Sequence, residues 1–258
     1  MGSMVLLDDL ALTLSLLGFV FGLVLGILYN FPWIFKYYKP IFVEYRKQAD
    51  DKILIISDLH MHPEKCTFQF LENILKQHGI TTVVIAGDFL EFHKKINKDK
   101  AKELVEECFS KFPESSVKNI LITLSHASHD PIIDKEMVFS YNSLEIRLIP
   151  GFVKIISERY SVYVSHGDYF CRNGAIAGVL NKMSSVFGKP LVSERILKKI
   201  IKARDDEWII SGHTHIAGID ESARVANPGA WHKHIGRDAT RTGIILDNAG
   251  PKMIKLQK

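Results

Sequence analysis

Five short β-branched runs divide residues 52–215, and each ends in aspartate or histidine. They read KILIISDLH (52–60), TTVVIAGDF (81–89), NILITLSHASHD (119–130), SVYVSHGDYF (161–170) and WIISGHTH (208–215). Runs of this length, rich in Ile and Val and closed by polar residues, are the signature of buried strands. Helical spacing lies between some of them: Phe68, Leu71, Ile74 and Leu75 in 67–77, and Leu104, Val105, Cys108 and Phe109 in 100–109. Strands alternating with helices predict an α/β architecture, in which ligands collect beyond the carboxyl ends of the strands. RTGIILDN (241–248) and KMIKLQK (252–258) predict closing strands. At 47% apolar and 24% charged residues, the 258-residue chain can bury one full core.

Singly, each polar strand end is weak. A lone His near a strand is more often a hydrogen-bonded core or surface residue, and Asp after Gly is ordinary turn chemistry. The ordered set is specific: Asp58 and His60, then Asp88, then His129 and Asp130, then His166, then His213 and His215. Residues at i and i+2 of a strand end project to one side, so Asp58 with His60, and His213 with His215, are expected to act as paired ligands. Mixed carboxylate and imidazole donors suit Mn, Fe or Zn rather than calcium. A shared carboxylate such as Asp88 can bridge two metals about 3.5–4 Å apart, the arrangement used to hydrolyse phosphate esters.

This order of blocks resembles the calcineurin-like metallophosphoesterase superfamily, whose motifs run DxH, GD, GN(H/R)(D/E), H and GHxH; the resemblance covers roughly residues 52–235. It implies a four-layer β-sandwich flanked by helices (α+β in arrangement) with a dimetal centre at one edge. By that resemblance one divalent ion takes Asp58, His60, Asp88 and His215. The second takes Asp88, His166, His213 and position 128, where the family carries asparagine and this chain has Ser128. Mn2+ is the expected ion, with Fe, Zn or Mg as alternatives. His129, oriented by Asp130, is expected to stabilise the phosphoryl group or protonate the leaving oxygen; the plainer reading is that His129 only buttresses its loop.

Ser128 leaves three outcomes open: binding through water at a weakened second site, replacement by His126 or His129, or a largely empty second site. Within the superfamily, GDFLEF, SHASHD and SHGDYFC resemble the UDP-2,3-diacylglucosamine hydrolases. That likeness implies a pyrophosphate or phosphodiester bond in a nucleotide-linked lipid as substrate. The alternatives are a general phosphodiesterase or phosphatase, and a non-catalytic or mono-metal relative that binds lipid or nucleotide.

Residues 172–205 are expected to form a helical insertion. An apolar stretch with small residues (175–192) is broken at Gly188-Lys189-Pro190, and a basic amphipathic helix follows with Ser193 as its N-cap. That helix reads equally as a surface helix with a solvated face or as one resting on anionic lipid. Arg172, Asn173, Arg195 and Lys199 are the candidate substrate-binding residues. In NPGAWHKH (227–234), Asn227, His232 and His234 are expected near the site without being ligands.

Residues 1–9 read as a tail, with MGSM as an appended tag. Residues 10–35 carry no charge, are long enough to span a bilayer, and are followed by aromatic residues and then Lys36, Lys39, Arg46 and Lys47. They predict a single membrane anchor, residues 36–51 as a juxtamembrane linker, and a catalytic domain (52–258) on the cytoplasmic face of the cell membrane. An in-plane helix or an oligomerising hairpin is the other reading, so a lipid membrane and a homo-oligomer are both expected partners. Cys66, Cys108 and Cys171 are widely spaced and odd in number, which predicts reduced thiols and a cytosolic domain. A net charge of +4, from 33 basic against 29 acidic residues, is too balanced to point to nucleic acid.

Overall fold

The computed structural model describes residues 13–23, 26, 41–127, 129–231, 233 and 238–255. The chain divides into two compact units, Met1–Lys36 and Tyr37–Lys258. In the first, residues 13–23 and 26 are helical. Among the described residues, no helix is long and apolar enough to cross a membrane. This overturns the expected single-pass anchor and the membrane localisation built on it. Residues 1–12, 24–25 and 27–40, which include the rest of the uncharged run, lie outside the described residues.

The second unit is built on two sheets. The seven-stranded sheet contains β2 (Ile53–Ile56), β3 (Thr82–Ala86), β4 (Asn119–Thr123), β5 (Met137–Tyr141), β6 (Leu144–Ile149), β12 (Thr242–Leu246) and β13 (Pro251–Lys255), in the order β13-β12-β2-β3-β4-β6-β5. The six-stranded sheet contains β1 (Phe42–Arg46), β7 (Phe152–Ile156), β8 (Ser161–Ser165), β9 (Trp208–Ser211), β10 (Gly218–Asp220) and β11 (Val225–Asn227), in the order β1-β7-β8-β9-β11-β10. Strands β2, β3, β4 and β6 run parallel, as do β8, β9 and β11.

The side-chain period of two sorts the seven-stranded sheet's residues into two cores. Ile53, Ile55, Val84, Ala86 and Leu121 face Val153, Ile155, Val162, Val164 and Ile210 between the sheets. Leu54, Ile56, Val83, Ile85, Ile120 and Ile122 face outward onto α1 (Glu72–His78) and α2 (Lys98–Phe109), whose Leu75, Val105, Cys108 and Phe109 are buried there. Burial on both faces explains why these strands read as continuous apolar runs. The two predicted helices are therefore present, the first starting later, after a 3-10 turn at Gln69–Leu71.

Three expectations are corrected here. Part of the expected linker is strand β1, which pairs in parallel with β7; Val43 and Tyr45 pack on the inter-sheet core, while Glu44 and Arg46 take the exposed side. Cys66 and Cys108 are not free thiols but a disulfide that ties the loop after β2 to the last turn of α2. Their separation of 42 residues gives no sequence cue to pairing, and Cys171 is left free and buried.

The third correction lies in the insertion, which forms helices α3 (Gly174–Val186) and α4 (Val192–Ile200) between β8 and β9. Ser193 does not cap α4. Leu191 is the N-cap, with a left-handed backbone and no capping side chain, while Asn181 of α3 accepts the Ser193 N–H at 2.8 Å.

Candidate metal centre

The candidate residues meet where the carboxyl ends of β2, β3, β4, β8 and β9 converge. Asp58, Asp88, His60, His166 and His213 are all less than a tenth exposed. Potential ligand atoms of Asp58, His60 and His215 lie within 4.8 Å of one another, and so do those of Asp58, Asp88 and His166, and those of His60, Asp88 and His129. Asp58, His60 and Asp88 each recur in two of these groups, and of the three only the carboxylates can bridge two ions.

The loops that carry them are not simple strand extensions. Asp58, His60, Asp88, His129, His213 and His215 all have positive φ, between 44° and 70°. They are six of the eleven non-glycine residues with that backbone among those described. Such conformations cost free energy and persist where the surrounding structure fixes them, as at functional sites. The expected i, i+2 projection from an extended strand end therefore does not place the paired ligands; left-handed turns do. Backbone bonds lock the turns together, with Asp58 N–H on Gly87 O at 3.1 Å and His60 N–H on Asp88 O at 2.8 Å.

His60 and His213 are oriented from behind by hydrogen bonds, and His166 by a nearby carboxylate. His60 Nδ1 lies 2.7 Å from Glu91 Oε1, leaving Nε2 3.7 Å from Asp88 Oδ2. His166 Nδ1 lies 3.4 Å from Asp168 Oδ1, and its Nε2 is 3.2 Å from Asp88 Oδ2 and 3.6 Å from Asp58 Oδ1. His215 Nε2 lies 3.1 Å from Asp58 Oδ1. His213 Nε2 donates to the Cys171 carbonyl at 2.7 Å, so Nδ1 is the acceptor nitrogen of the ring. Its ring stands 4.6 Å from that of His166, and His213 belongs to none of the three ligand groups. Outer partners of this kind fix ring tautomer and orientation at metal sites.

Neighbouring charges decide the ionisation of each group. Burial pushes the Asp58 carboxyl up, but hydrogen bonds from His166 and His215 outweigh it and hold the group below the ordinary carboxylate range. Burial likewise opposes ionisation of His166, yet Asp88, Asp168 and Asp58 hold its pKa well above the usual imidazole value. Burial and the neighbouring His166 charge push His213 down to about 4. The six acidic and imidazole residues of the three groups form a donor set suited to divalent transition ions. Asp88 Oδ1 is buried without a hydrogen-bond partner among the described residues, as a metal-facing oxygen would be. The cluster fits a divalent ion at Asp58, His60 and His215; of the second expected set, Asp88 and His166 group with Asp58 rather than with His213, and Ser128 lies outside the described residues.

The remaining candidates fall elsewhere. The buried Asp130 carboxylate accepts the backbone N–H groups of Phe89 (2.8 Å), Leu90 (3.0 Å) and Ser125 (2.8 Å), tying the β3 and β4 loops together. The carboxylate on His129 Nδ1, at 2.8 Å, belongs to Glu91. Burial and the Asp88 charge push Asp130 up to about 7. Asn173 caps α3, accepting from Ala175 and Ile176 N–H, and Arg195 is engaged by Asp220 and the Pro190 carbonyl. Lys199 is exposed on α4, and Arg172 is partly buried just before α3.

His126 Nε2 lies 3.2 Å from the Pro150 carbonyl, and His126 is in none of the ligand groups. His232 and His234 are outside the described residues. Glu91 and Asp168 are the structural partners that sequence reading missed, whereas Asn227, expected near the site, bonds Glu194, the Gly212 carbonyl and Thr214. Glu91 stands in GDFLEF and Asp168 in SHGDYF, inside quoted motifs, but nothing in a single sequence marks them as outer partners.

A family model described as the calcineurin-like phosphoesterase superfamily domain matches residues 52–249. Among solved structures, the chain is similar to Vacuolar Protein Sorting 29 from Cryptosporidium parvum, at 14% identity and TM-score 0.42, covering 79% of this chain and 95% of that one. It is also similar to the phosphoesterase Yfce from E. coli, at 14% identity and TM-score 0.39, covering 80% and 100%. An archaeal phosphodiesterase matches at 17% identity and TM-score 0.35, covering 79% and 98%. None of the curated proteins matches the chain.

Proposed function

The chain belongs to the calcineurin-like phosphoesterase superfamily, and from that premise we propose that it is a metal-dependent hydrolase of phosphodiester or pyrophosphate bonds, with a nucleotide-diphosphate-linked lipid as substrate. The observation that carries the hydrolase reading is the cluster of buried Asp58, His60, Asp88 and His166 with the partly exposed His215. When bound there, two divalent ions would screen the phosphoryl charge and make water acidic enough to supply a nucleophile near neutral pH. Asp58, His60, Asp88 and His215 would hold one ion; Asp88, His166 and His213 would hold the other.

His129 is the acid-side group of this reading. Glu91 fixes its Nδ1, which leaves Nε2 to deliver a proton to the departing oxygen. Glu91 is suited to this, because hydrogen bonds and charge from His129 and His60 outweigh its burial and keep it ionised.

The lipid part of the proposal is supported by α3. Val179, Met183, Val186 and Phe187 are 50%, 59%, 82% and 79% exposed and recur at helical spacing, so this helix turns an apolar stripe outward. Its first turn abuts the metal cluster: a Cβ on Gly174 would come within 2.6 Å of the His213 carbonyl. An acyl chain lying along the stripe would place its headgroup phosphates at the site.

The test is hydrolysis of a soluble phosphodiester and of UDP- and CDP-linked lipids with Mn2+ added, alongside Asp88→Ala. Turnover that Asp88→Ala abolishes is expected. No turnover of any substrate, with one metal or fewer per chain, would sink the enzyme reading and favour a binding relative; hydrolysis of the soluble diester alone would remove the lipid.

A further inference from the structure

Behind the turn 212–215 that carries His213 and His215 lies a buried carboxylate that the proposed chemistry does not use. Glu194 of α4 is 1% exposed. Asn181 Nδ2 of α3 donates to it at 2.9 Å, Asn227 Nδ2 at the end of β11 at 2.8 Å, and Thr214 Oγ1 at 3.4 Å. Asn227 Nδ2 also reaches the Gly212 carbonyl at 2.8 Å and Thr214 Oγ1 at 3.0 Å. Thr214 is the residue between the two histidines, so one carboxylate joins both insertion helices and β11 to the turn that presents them.

We infer that Glu194 is a positioning residue for the metal centre, setting His213 and His215 through Thr214 and Asn227. Every side chain that hydrogen-bonds its carboxylate donates to it, and no ion pair of Glu194 is present among the described residues. A buried negative charge without a basic partner is costly unless donors or a nearby cation offset it. Polar donors alone would be served by a neutral acceptor. Burial pushes the Glu194 carboxyl up against those hydrogen bonds, and cations on the far side of the turn would favour its charged form; in this respect the inference rests on the metal-dependent reading above. It makes the insertion part of the scaffold of the metal site as well as a cover beside it.

The experiment measures Mn2+ and Zn2+ affinity by calorimetry, and the melting temperature of the metal-free protein, for the full chain and for Glu194→Gln. Glutamine keeps the shape but removes the charge and turns an N–H2 toward donors. The expected result is an affinity loss of about 10-fold or more, the scale seen for outer partners of metal ligands, exceeding anything explained by the metal-free melting temperature. Affinity unchanged while the melting temperature falls would show a structural staple and overturn the inference.

If Glu194→Gln does not fold, Thr214→Val removes the hydroxyl that links the turn to Glu194, Asn227 and Asn181 and is read the same way. Rescue by Thr214→Ser is expected, and failure of that rescue counts against the hydroxyl link. A wild-type chain that binds no metal overturns both this inference and the proposed function. Wild-type binding that the variants leave unaltered overturns this inference alone.

Discussion

The Glu91 carboxylate accepts from His129 Nδ1 at 2.8 Å, and its other oxygen lies 2.7 Å from His60 Nδ1. One side chain thus orients a metal-side imidazole and the proposed acid together, and the two rings stand edge to face at 4.6 Å. Glu91→Ala is expected to lower kcat by about 10- to 100-fold through loss of this outer support. His129→Ala should lower kcat by roughly 100-fold or more, with metal content retained. Steady-state kinetics with metal analysis on each variant separates the two effects. Full activity in Glu91→Ala would show that the pairing does not orient the reacting groups.

Gly87 precedes Asp88 with φ +75°, and an added Cβ would come 2.2 Å from His166 Cβ. His166 is fully buried and cannot yield. Gly87→Ala is therefore expected to destabilise the metal-free chain by about 1–3 kcal/mol from overpacking, in addition to the cost of a left-handed alanine. Gly79→Ala is the control: φ there is +61°, but open space surrounds the new methyl. Thermal unfolding of both variants isolates the clash. Equal melting temperatures would mean that the His166 contact is relieved at no cost.

Much of the site is legible in the sequence. The polar ends of the β-branched runs mark strands whose loops converge, because parallel strands deliver their carboxyl ends to one edge. Asp58, His60, Asp88, His166 and His215 could be named on that basis. Glu91 could not be singled out, because its partners lie 31 and 38 residues away and its motif carries no mark of orientation. Asp130 was read as the partner of the adjacent His129, whereas the turn sends it to three backbone N–H groups. Strand β1 was hidden because its alternation is short and lies among the basic residues that follow the uncharged run. Glu194 sits in a helix that read as basic and amphipathic, so its burial depended on contacts from Asn181 and Asn227 across the fold.

The outward stripe on α3 makes a substrate-dependent prediction. Phe187→Asp and Met183→Asp place charge on the 79%- and 59%-exposed positions without disturbing a core. The ratio of kcat/KM for an acylated nucleotide-diphosphate substrate to that for a soluble diester is expected to fall. The scale is about 1.5–3 kcal/mol for each large apolar side chain that leaves a lipid contact, mostly as higher KM. An unchanged ratio would remove α3 from acyl recognition.

Metal binding should release a proton, and His166 identifies its source. Against the effect of burial, Asp88, Asp168 and Asp58 hold its pKa well above 6.5, so the metal-free imidazole is charged at neutral pH with Nε2 3.2 Å from Asp88 Oδ2. A cation that takes Nε2 must displace that proton. His213 contributes none, since burial and the His166 charge have already pushed it down to about 4. Calorimetry in buffers of different ionisation enthalpy should therefore show about one proton released from His166 at neutral pH, with affinity rising about tenfold per pH unit. The sign for stability is the opposite. The raised folded pKa stabilises the metal-free chain fully below about 6.5, the unfolded value, and that contribution is lost as pH rises through the folded value. Asp130, pushed up to about 7, exchanges protons in the same range, so His166→Asn is the assignment control. If proton release survives in that variant, the proton belongs to Asp130; if the wild type shows no buffer dependence, His166 is neutral before the metal arrives.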